Sequence, residues 1–284
     1  MSTILYNDQF VPRKEGKVDI EDRGYQFGDG IYEVFRVYHG KVFLMEWHLD
    51  RLQRSIKELY LTLPYPIQQI EKNIYALIEK NGLIEGTVYL QITRGATSRN
   101  HLFPTNTNPV LIAYTTHLKR EEAVVKDGIK VSLLDDIRWL RCDIKTLNLL
   151  GNVLNKEKAH QEGSSEAIQH RGDIVTEGCT SNVFIVKEGV LITHQADHFI
   201  LNGITRMYVL ELATKLGIKI EERQYTINEC LQADEVFITS TGAEVTPVIQ
   251  IKDHLINQGK PGPITKQLFS EFENEIKRME KVSQ

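Results

Sequence analysis

Apolar and polar positions alternate near the start of the chain in a way that predicts a β-hairpin followed by a helix. The runs Ile31–Tyr38 and Val42–Met45 flank the pair His39-Gly40, which is typical of two strands joined by a tight turn. From Trp47 to Leu61 the apolar residues recur every three or four positions, as they do on one face of a helix.

A second helix and two further strands extend this pattern. The helix is predicted to begin at Pro66 and to stop at Asn81-Gly82. Strands are predicted at Thr87–Thr93 and Val110–Thr116. The resulting order of strand, helix, helix, strand and strand indicates a small N-terminal α+β domain, residues 1–118.

The rest of the chain is richer in strands than in helices. The charged stretch 119–126 is predicted to be the interdomain linker. Amphipathic helices are predicted at Asn152–Glu162 and Ile204–Leu216. Strands are predicted near 129–135, 166–170, 174–177, 182–186, 190–193, 218–225 and 235–240. Many strands with few helices favour a larger, barrel-like C-terminal domain, residues 127–284.

Composition narrows the functional classes. The 34 basic and 38 acidic residues are mixed along the chain, so no basic stripe indicates nucleic-acid binding. The three cysteines lie far apart, which argues against a disulfide framework or a zinc site, and no metal site is predicted. No apolar run approaches the length of a membrane span, and the first residues lack the features of a signal peptide. A cytoplasmic location is the expectation.

The glycines at Gly28-Asp29-Gly30 resemble the start of a dinucleotide-binding fingerprint, but the match fails. The sixth position is Glu33 instead of glycine, and the segment leads into a predicted strand instead of a helix. A turn that feeds a strand is the better interpretation.

Lys145 lies in a largely apolar run, between Ile144 and the segment from Leu147 to Leu150. Burial disfavours the charged form of an amine, and a neutral amine can form a Schiff base with an aldehyde. Taken alone, a lysine in such a run more often extends its amine to water.

Three other segments have residues suited to a ligand. Glu177 ends a predicted strand just before a glycine and small hydroxyl residues. Gly203 to Arg206 begins a predicted helix, whose N-terminal N–H groups suit a phosphate. Ser240-Thr241-Gly242 ends a strand with two hydroxyls. By themselves these are also ordinary strand ends, caps and turns.

Arg99 and His101 lie two positions apart after a predicted strand. In an extended segment they point to the same side, and an arginine can bind a carboxylate through two hydrogen bonds. On these residues alone, a solvated loop charge is the more common explanation.

Six segments taken together resemble the class IV, fold-type IV aminotransferases, which use pyridoxal 5′-phosphate (PLP). The segments run in order along nearly the whole chain, and within the family they are most similar to the bacterial D-amino acid aminotransferases. They are residues 22–34, 48–52, 137–154, 176–184, 201–206 and 238–248.

The resemblance implies a role for each matching residue. Lys145 matches the lysine that forms a Schiff base with PLP, and Glu177 matches the acidic residue that faces the pyridine nitrogen. The residues that match the remaining cofactor contacts, at the phosphate or against the ring, are Arg51, Leu201, Ile204, Thr205, Ser240 and Thr241.

The substrate side is implied in the same way. Tyr32, Arg99 and His101 match the trap that holds the substrate carboxylate in the D-specific enzymes. In that family part of the trap comes from the neighbouring subunit, so a homodimer is implied. Cys179 and Thr180 stand where serines are expected, and the thiol of Cys179 is the weaker hydrogen-bonding group.

The implied activity is ping-pong transamination through a Lys145 Schiff base. The expected substrates are D-alanine, D-glutamate and D-aspartate, with 2-oxo acids such as 2-oxoglutarate or pyruvate as acceptors. Two alternatives of the same fold stay open, a 4-amino-4-deoxychorismate lyase and a branched-chain L-amino acid aminotransferase. A PLP-carrying binding protein without turnover is a third.

Overall fold

The computed structural model describes residues 2–120 and 126–281. The described residues cluster into two compact units. The first unit contains 2–119, Ile144–Asn148 and 279–281, and the second contains residue 120, 126–143 and 149–278. The structure therefore groups Ile144–Asn148 with the N-terminal unit, although the predicted boundaries put it in the C-terminal domain. Residues 121–125 of the predicted linker lie outside the described residues, and the predicted domain boundaries stay a prediction.

The first unit is built on an antiparallel sheet with the strand order β2-β1-β6-β5-β3-β4. Its strands are β1 Thr3–Tyr6, β2 Gln9–Pro12, β3 Gly30–Tyr38, β4 Lys41–Val42, β5 Gly86–Thr93 and β6 Val110–His117. Its helices are α1 Arg23–Phe27, α2 Met45–Glu58 and α3 Ile67–Lys80.

The core of the first unit lies where one face of the sheet meets the helices. Ile31 and Phe35 on β3 share that face because side chains alternate along a strand, and both are fully buried. They belong to one apolar cluster with Leu52 of α2 and Ile74 of α3. This packing fixes the position of α2 relative to β3. The candidate residues Arg51 and Tyr32 lie on these two elements.

The sequence predicts this unit well, with two errors. The hairpin, both helices and both later strands are confirmed. The second hairpin strand ends at Val42 instead of Met45, because Leu44 adopts a left-handed conformation and Met45 begins α2. The second error is that the short helix α1 and the strands β1 and β2 were not predicted.

The second unit contains a nine-stranded half-barrel sheet, which confirms the predicted barrel-like architecture. The principal strand order is β12-β11-β10-β13-β14-β7-β8-β9, and β15 pairs with β14. The strands are β7 Ile129–Asp135, β8 Glu166–Arg171, β9 Ile174–Gly178, β10 Asn182–Lys187, β11 Val190–Thr193, β12 Ile220–Glu222, β13 Glu235–Ser240, β14 Glu244–Ile251 and β15 His254–Leu255. The helices are α4 Leu150–Gln161, α5 Ile204–Lys215, α6 Ile227–Leu231 and α7 Pro263–Lys281.

Several elements of this unit depart from the pattern along the sequence. The predicted strand near 218–225 is only the short β12. The strands β14 and β15 and the helices α6 and α7 were not predicted. In β14 the polar Glu244 and Thr246 and the intervening apolar residues are all buried, so the strand lacks the alternation by which a half-exposed strand is recognised. The α+β class is confirmed in both units. No described helix is long and apolar enough to span a membrane.

Candidate active site

Lys145 lies in an extended segment that pairs with the beginning of β3. The Tyr32 N–H donates to the Lys145 carbonyl at 3.0 Å, and the Leu147 N–H donates to the Gly30 carbonyl at 3.0 Å. Position 30 requires glycine, because a Cβ atom there would lie 2.6 Å from the carbonyl oxygen of Ile92. The Lys145 Nζ lies 4.2 Å from the centroid of the Tyr32 ring. The structure therefore brings two predicted site residues, Lys145 and Tyr32, into contact.

Arg51 lies on α2 and is held by a buried carboxylate of β3. Its Nε and Nη2 donate to the two oxygens of Glu33 at 2.7 and 2.8 Å. The His48 Nδ1 lies 2.8 Å from one of the same oxygens. Burial alone would raise the pKa of Glu33, but Arg51 and His48 outweigh it and lower that pKa to about 2. Burial lowers the pKa of His48, whereas its contact with Glu33 acts in the opposite direction.

Sequence reasoning missed Glu33 as a site residue, although the sequence contained a signal. Glu33 lies two positions from Ile31 and from Phe35, so its side chain shares their face of β3, which is the core face. A carboxylate on a core face requires a buried cationic or hydrogen-bonding partner. Arg51 on the facing helix is that partner.

Arg99 and His101 are exposed, and both pack against the ring of Phe27. The Arg99 guanidinium carbon lies 4.9 Å from the Phe27 ring centroid, and the His101 ring centroid lies 5.4 Å from it. Within residues 2–120 and 126–281, no hydrogen bond, ion pair or ring contact joins either residue to Tyr32 or Lys145. The structure thus brings two members of the predicted trap together and leaves the third, Tyr32, beside the lysine.

Glu177 is the penultimate residue of β9 and is buried in the second unit. One carboxylate oxygen accepts from Nη1 of Arg138. The other accepts from Nδ2 of Asn182 at 2.9 Å and from the backbone N–H of Leu201 at 3.1 Å. Burial raises the pKa of Glu177, and these three donors limit the rise because each favours the ionised form.

Arg138 is the second residue that sequence reasoning did not identify. Its guanidinium also donates to both oxygens of Asp136, at 2.9 and 2.8 Å, and Asp136 accepts from Arg171 at 3.0 Å. Burial opposes ionisation of Asp136, but the arginines lower its pKa below the ordinary value. Arg138 is therefore held between two carboxylates, and its charge compensates the burial of Glu177.

The turn after Glu177 is held by a buried carboxylate. Glu166 accepts from the Thr180 hydroxyl at 2.7 Å and from the Cys179 N–H at 3.3 Å. The Cys179 carbonyl accepts from Nδ2 of Asn152 at 2.7 Å. Burial raises the pKa of the Cys179 thiol to about 12, so the thiol is protonated at neutral pH. The hydroxyl of Thr180 and the backbone of Cys179 therefore have structural partners.

The remaining candidates of the second unit meet at one edge of its sheet. Strands β10 and β13 are antiparallel, and Asn182 pairs with Thr239, so the beginning of β10 adjoins the end of β13 at Ser240. Asn182 also donates to the Leu201 carbonyl at 2.8 Å. A Cβ atom at Gly203 would lie 2.1 Å from Oδ1 of Asn182. Asn182 therefore links Glu177, the 201–203 segment and the end of β13.

Helix α5 begins at this edge with Gly203 as its N-cap residue. Among residues 2–120 and 126–281, no side-chain cap accepts a hydrogen bond from the N–H groups at its start. Ile204 and Thr205 are buried. At the end of β13, the Ser240 Oγ accepts from the Ala243 N–H at 2.9 Å, which closes the turn that includes Thr241. A helix N-terminus beside hydroxyl side chains is a suitable environment for an anion.

The predicted site residues are thus divided between the two units. Those of the first unit are Tyr32, Arg51, Arg99, His101 and Lys145. Those of the second are Glu177, Leu201, Ile204, Thr205, Ser240 and Thr241. The roles assigned to them from sequence stay predictions. The structure adds Glu33, which holds Arg51, Arg138, which holds Glu177, and Glu166, which holds the turn after Glu177.

Comparison with known proteins gives the family. The model of the amino-transferase class IV family matches residues 30–251. A D-alanine aminotransferase of Listeria monocytogenes serotype 1/2a (strain 10403S) is 48% identical over 97% of this chain and 96% of its own length. A D-alanine aminotransferase of Staphylococcus aureus (strain N315) is 47% identical over 97% of this chain and 98% of its own.

Solved structures show the same fold. The branched-chain amino acid aminotransferase of Escherichia coli has a TM-score of 0.91 and 26% identity, and the match covers 96% of this chain and 94% of that one. The branched-chain aminotransferase of the archaeon Thermoproteus uzoniensis, solved with norvaline, has a TM-score of 0.85 at 26% identity, over 97% and 94% of the two chains. A 4-amino-4-deoxychorismate lyase of Pseudomonas aeruginosa has a TM-score of 0.84 at 25% identity, over 95% and 98%.

These likenesses extend along nearly the whole chain, and the family match spans both units of the structure. The fold-type IV architecture predicted from the sequence is confirmed by the solved neighbours. The chain therefore belongs to the class IV aminotransferases, a family of PLP-dependent enzymes.

Proposed function

We propose that this protein transfers the amino group of D-amino acids to 2-oxo acids. D-Alanine, D-glutamate and D-aspartate are the proposed donors, and pyruvate and 2-oxoglutarate the acceptors. The observation that supports this most strongly is the 48% identity, over 97% of the chain, to a protein named D-alanine aminotransferase. The branched-chain aminotransferase and the lyase are similar at 25–26% identity, which supports the shared fold more than a shared substrate.

The residues present fit PLP, a group that combines an aromatic ring, an aldehyde and a phosphate. The uncapped N-terminus of α5 and the hydroxyls at the end of β13 suit the phosphate. Two buried hydroxyl oxygens near this edge, those of Ser181 and Thr239, have no hydrogen-bond partner in the described part of the chain. Buried polar atoms are rarely left unsatisfied, so a polar ligand at this edge is consistent with both.

We assign the cofactor contacts accordingly. Lys145 would hold PLP covalently through its amine, and Arg51, Ile204, Thr205, Ser240 and Thr241 would hold the phosphate. Leu201 would pack against the ring, and Glu177 would pair with the ring nitrogen. When bound, PLP withdraws electrons from the substrate α-carbon.

The protein itself supplies a charged group beside the cofactor ring and a residue that transfers one proton. Arg138, Asn182 and the Leu201 N–H donate to Glu177 and favour its ionised form, against the effect of burial, which raises its pKa. An ionised Glu177 beside the ring nitrogen would keep that nitrogen protonated. Lys145 would take the proton from the substrate Cα as general base and deliver it, as general acid, to C4′ of the cofactor. Its contact with Tyr32 and its backbone pairing with β3 restrict where the amine can reach.

Arg99 and His101 are proposed to bind the substrate α-carboxylate. Both are exposed in the single chain and neither contacts Lys145 among the described residues. This arrangement supports a homodimer in which the pair completes a site on the partner subunit. Fixing the carboxylate on one side orients the α-hydrogen of only one enantiomer towards the lysine, which would select D-amino acids. The cytoplasmic location expected from the sequence stays a prediction.

The test is the absorbance spectrum of the PLP-loaded protein before and after addition of single amino acids. We expect D-alanine to convert the spectrum to that of the amino form of the cofactor, which pyruvate then reverses, and L-alanine to have no effect. Conversion by L-leucine but not by D-alanine would overturn the proposal in favour of the branched-chain alternative. A bound cofactor that responds to no amino acid would indicate the lyase or a binding protein.

A further inference from the structure

Arg23, the first residue of α1, is a buried arginine that holds the loop on which Arg99 and His101 lie. Its side chain is only 4% exposed. Its Nη1 donates to the Asn100 carbonyl at 2.5 Å and, more weakly, to the Leu102 carbonyl at 3.4 Å. Those two carbonyls belong to the residues that follow Arg99 and His101, so one guanidinium holds the backbone on both sides of His101.

The loop that contains Arg99 and His101 is also held by a hydrogen bond within it and by contacts with the Phe27 ring. The Asn100 Oδ1 accepts from the Leu102 N–H at 3.1 Å, which fixes the turn around His101. The Phe27 ring lies beneath the loop, and the guanidinium carbons of Arg23 and Arg99 lie 4.8 and 4.9 Å from its centroid. The His101 ring packs on the same phenyl group. Two residues of α1 therefore hold Arg99 and His101: Arg23 binds the backbone beside them, and Phe27 packs against their side chains.

Arg23 itself is fixed by a carboxylate. Its Nε donates to Oδ2 of Asp29 at 2.7 Å, and the same oxygen accepts from Nε of Arg94 at 2.8 Å. Arg94 lies at the end of β5, where the loop begins, and Asp29 lies just before β3. The orientation of the Arg23 guanidinium thus depends on the ends of two central strands.

We infer that Arg23 and Phe27 are positioning residues that set the geometry of Arg99 and His101 for the substrate carboxylate. The inference rests on the proposed function. Only arginine can bind a carboxylate through Nε and backbone carbonyls through Nη1 at once, because its guanidinium is planar and presents several donors in fixed directions. A lysine at position 23 keeps the charge beside Asp29 but not the link to the loop.

The first experiment measures kcat and KM of Arg23→Lys with D-alanine. We expect KM to rise about 10- to 100-fold, since small misplacement of a binding group has effects of this size. The kcat at saturation should change much less, and the absorbance of the bound cofactor should not change. Arg36→Lys is the matched control, because Arg36 is equally buried in the same unit and pairs with Glu85 instead of the loop.

A double-mutant cycle separates positioning from general damage. In the Arg99→Ala background, Arg23→Lys should have a smaller effect on the rate of D-alanine conversion than in the wild type, because one of the two groups that it positions is gone. Single-turnover reactions followed for hours keep slow variants measurable. Phe27→Leu should raise the KM in the same way and provides a second variant if Arg23→Lys does not fold.

The outcomes distinguish the two proposals. If the wild-type protein does not convert D-alanine at all, the proposed function fails. If the wild type is active but Arg23→Lys and Phe27→Leu behave like Arg36→Lys, the positioning inference is wrong and the function stands. The positioning inference would also be overturned if the effect of Arg23→Lys were as large in the Arg99→Ala background as in the wild type.

Discussion

The two carboxylate oxygens of Glu33 accept from Nε and Nη2 of Arg51, so the arginine proposed to bind phosphate is oriented by a buried anion. The pairing joins β3 to α2 in the core of the first unit. A buried charge is stable only when it is paired, and here each partner satisfies the other. The geometry of the proposed phosphate-binding group and the stability of the fold therefore depend on the same pair.

Glu33 should make the stability of the wild-type protein depend on pH in a defined window, and substituting it should remove that dependence. The pKa of Glu33 is about 2 in the folded protein and 4.5 in the reference state. Because the folded pKa is depressed, the contribution is complete above about pH 4.5 and is lost as the pH falls through about 2. At about 1.4 kcal/mol per pH unit, the ionised form contributes about 3 kcal/mol at neutral pH.

Urea unfolding of Glu33→Gln and the wild type at pH 7, 5 and 3 measures this contribution. We expect the variant to be less stable at pH 7 and 5, and the difference to shrink at pH 3. Glu46→Gln, at an exposed position of α2, is the control. A difference that stays constant down to pH 3 would contradict the assigned pKa.

Lys145→Ala should abolish transamination and leave the fold intact. General acid–base groups contribute roughly 100- to 10,000-fold to rate, and Lys145 is also proposed to hold the cofactor. Turnover with D-alanine and the circular dichroism spectrum measure the two effects separately. Lys219→Ala, at an exposed lysine, should retain full activity. Turnover of Lys145→Ala close to that of the wild type would refute the assignment.

Glu177→Gln should lower kcat by about 100- to 1000-fold, the range expected when one preorganised charged group is removed. The cofactor should still bind, because the phosphate contacts are unaltered. Arg138→Met should act in the same direction, since loss of the guanidinium allows burial to raise the pKa of Glu177 further. Cofactor titration and steady-state kinetics measure both effects. Full kcat in Glu177→Gln would show that its carboxylate has no part in the reaction.

Arg99→Ala should lower kcat/KM for D-alanine and for D-glutamate alike, because both present the same α-carboxylate. Loss of a desolvated, charge-assisted pair costs about 2–5 kcal/mol, which corresponds to roughly 30- to 5000-fold. Unchanged rates for both substrates would mean that Arg99 is a spectator. A loss confined to D-glutamate would place Arg99 at the side-chain carboxylate instead.

The active species should be a homodimer. Arg99 and His101 are exposed in the single chain, as expected if they complete the site of a neighbouring subunit. Light scattering at the concentration of the assay measures the mass directly. Mixing inactive Lys145→Ala with the impaired Arg99→Ala should raise the activity above that of either variant alone, because some mixed dimers then contain one intact site. Full activity of a species with the mass of a monomer would contradict this prediction.

The sequence predicted most of the local structure because periodicity is a local property. The spacing of apolar residues gave α2 and α3 to within a few residues, and it gave the hairpin at Gly30–Val42. It did not give β14, where polar and apolar residues alike are buried. The boundary at Met45 was missed because a single left-handed residue, Leu44, ends the turn there.

By itself the sequence determined the family and the candidate residues, since these reside in short ordered motifs such as the run around Lys145. The tertiary structure alone decided the partners: Glu33 with Arg51 across 18 positions, Arg138 with Glu177 across 39, and Arg23 with the Asn100 carbonyl across 77. The physical reason is that a buried charge is stable only beside a counter-charge or a hydrogen-bonding group such as a carbonyl, and the fold decides which of these lies near. No pattern along the chain specifies which distant residue that will be.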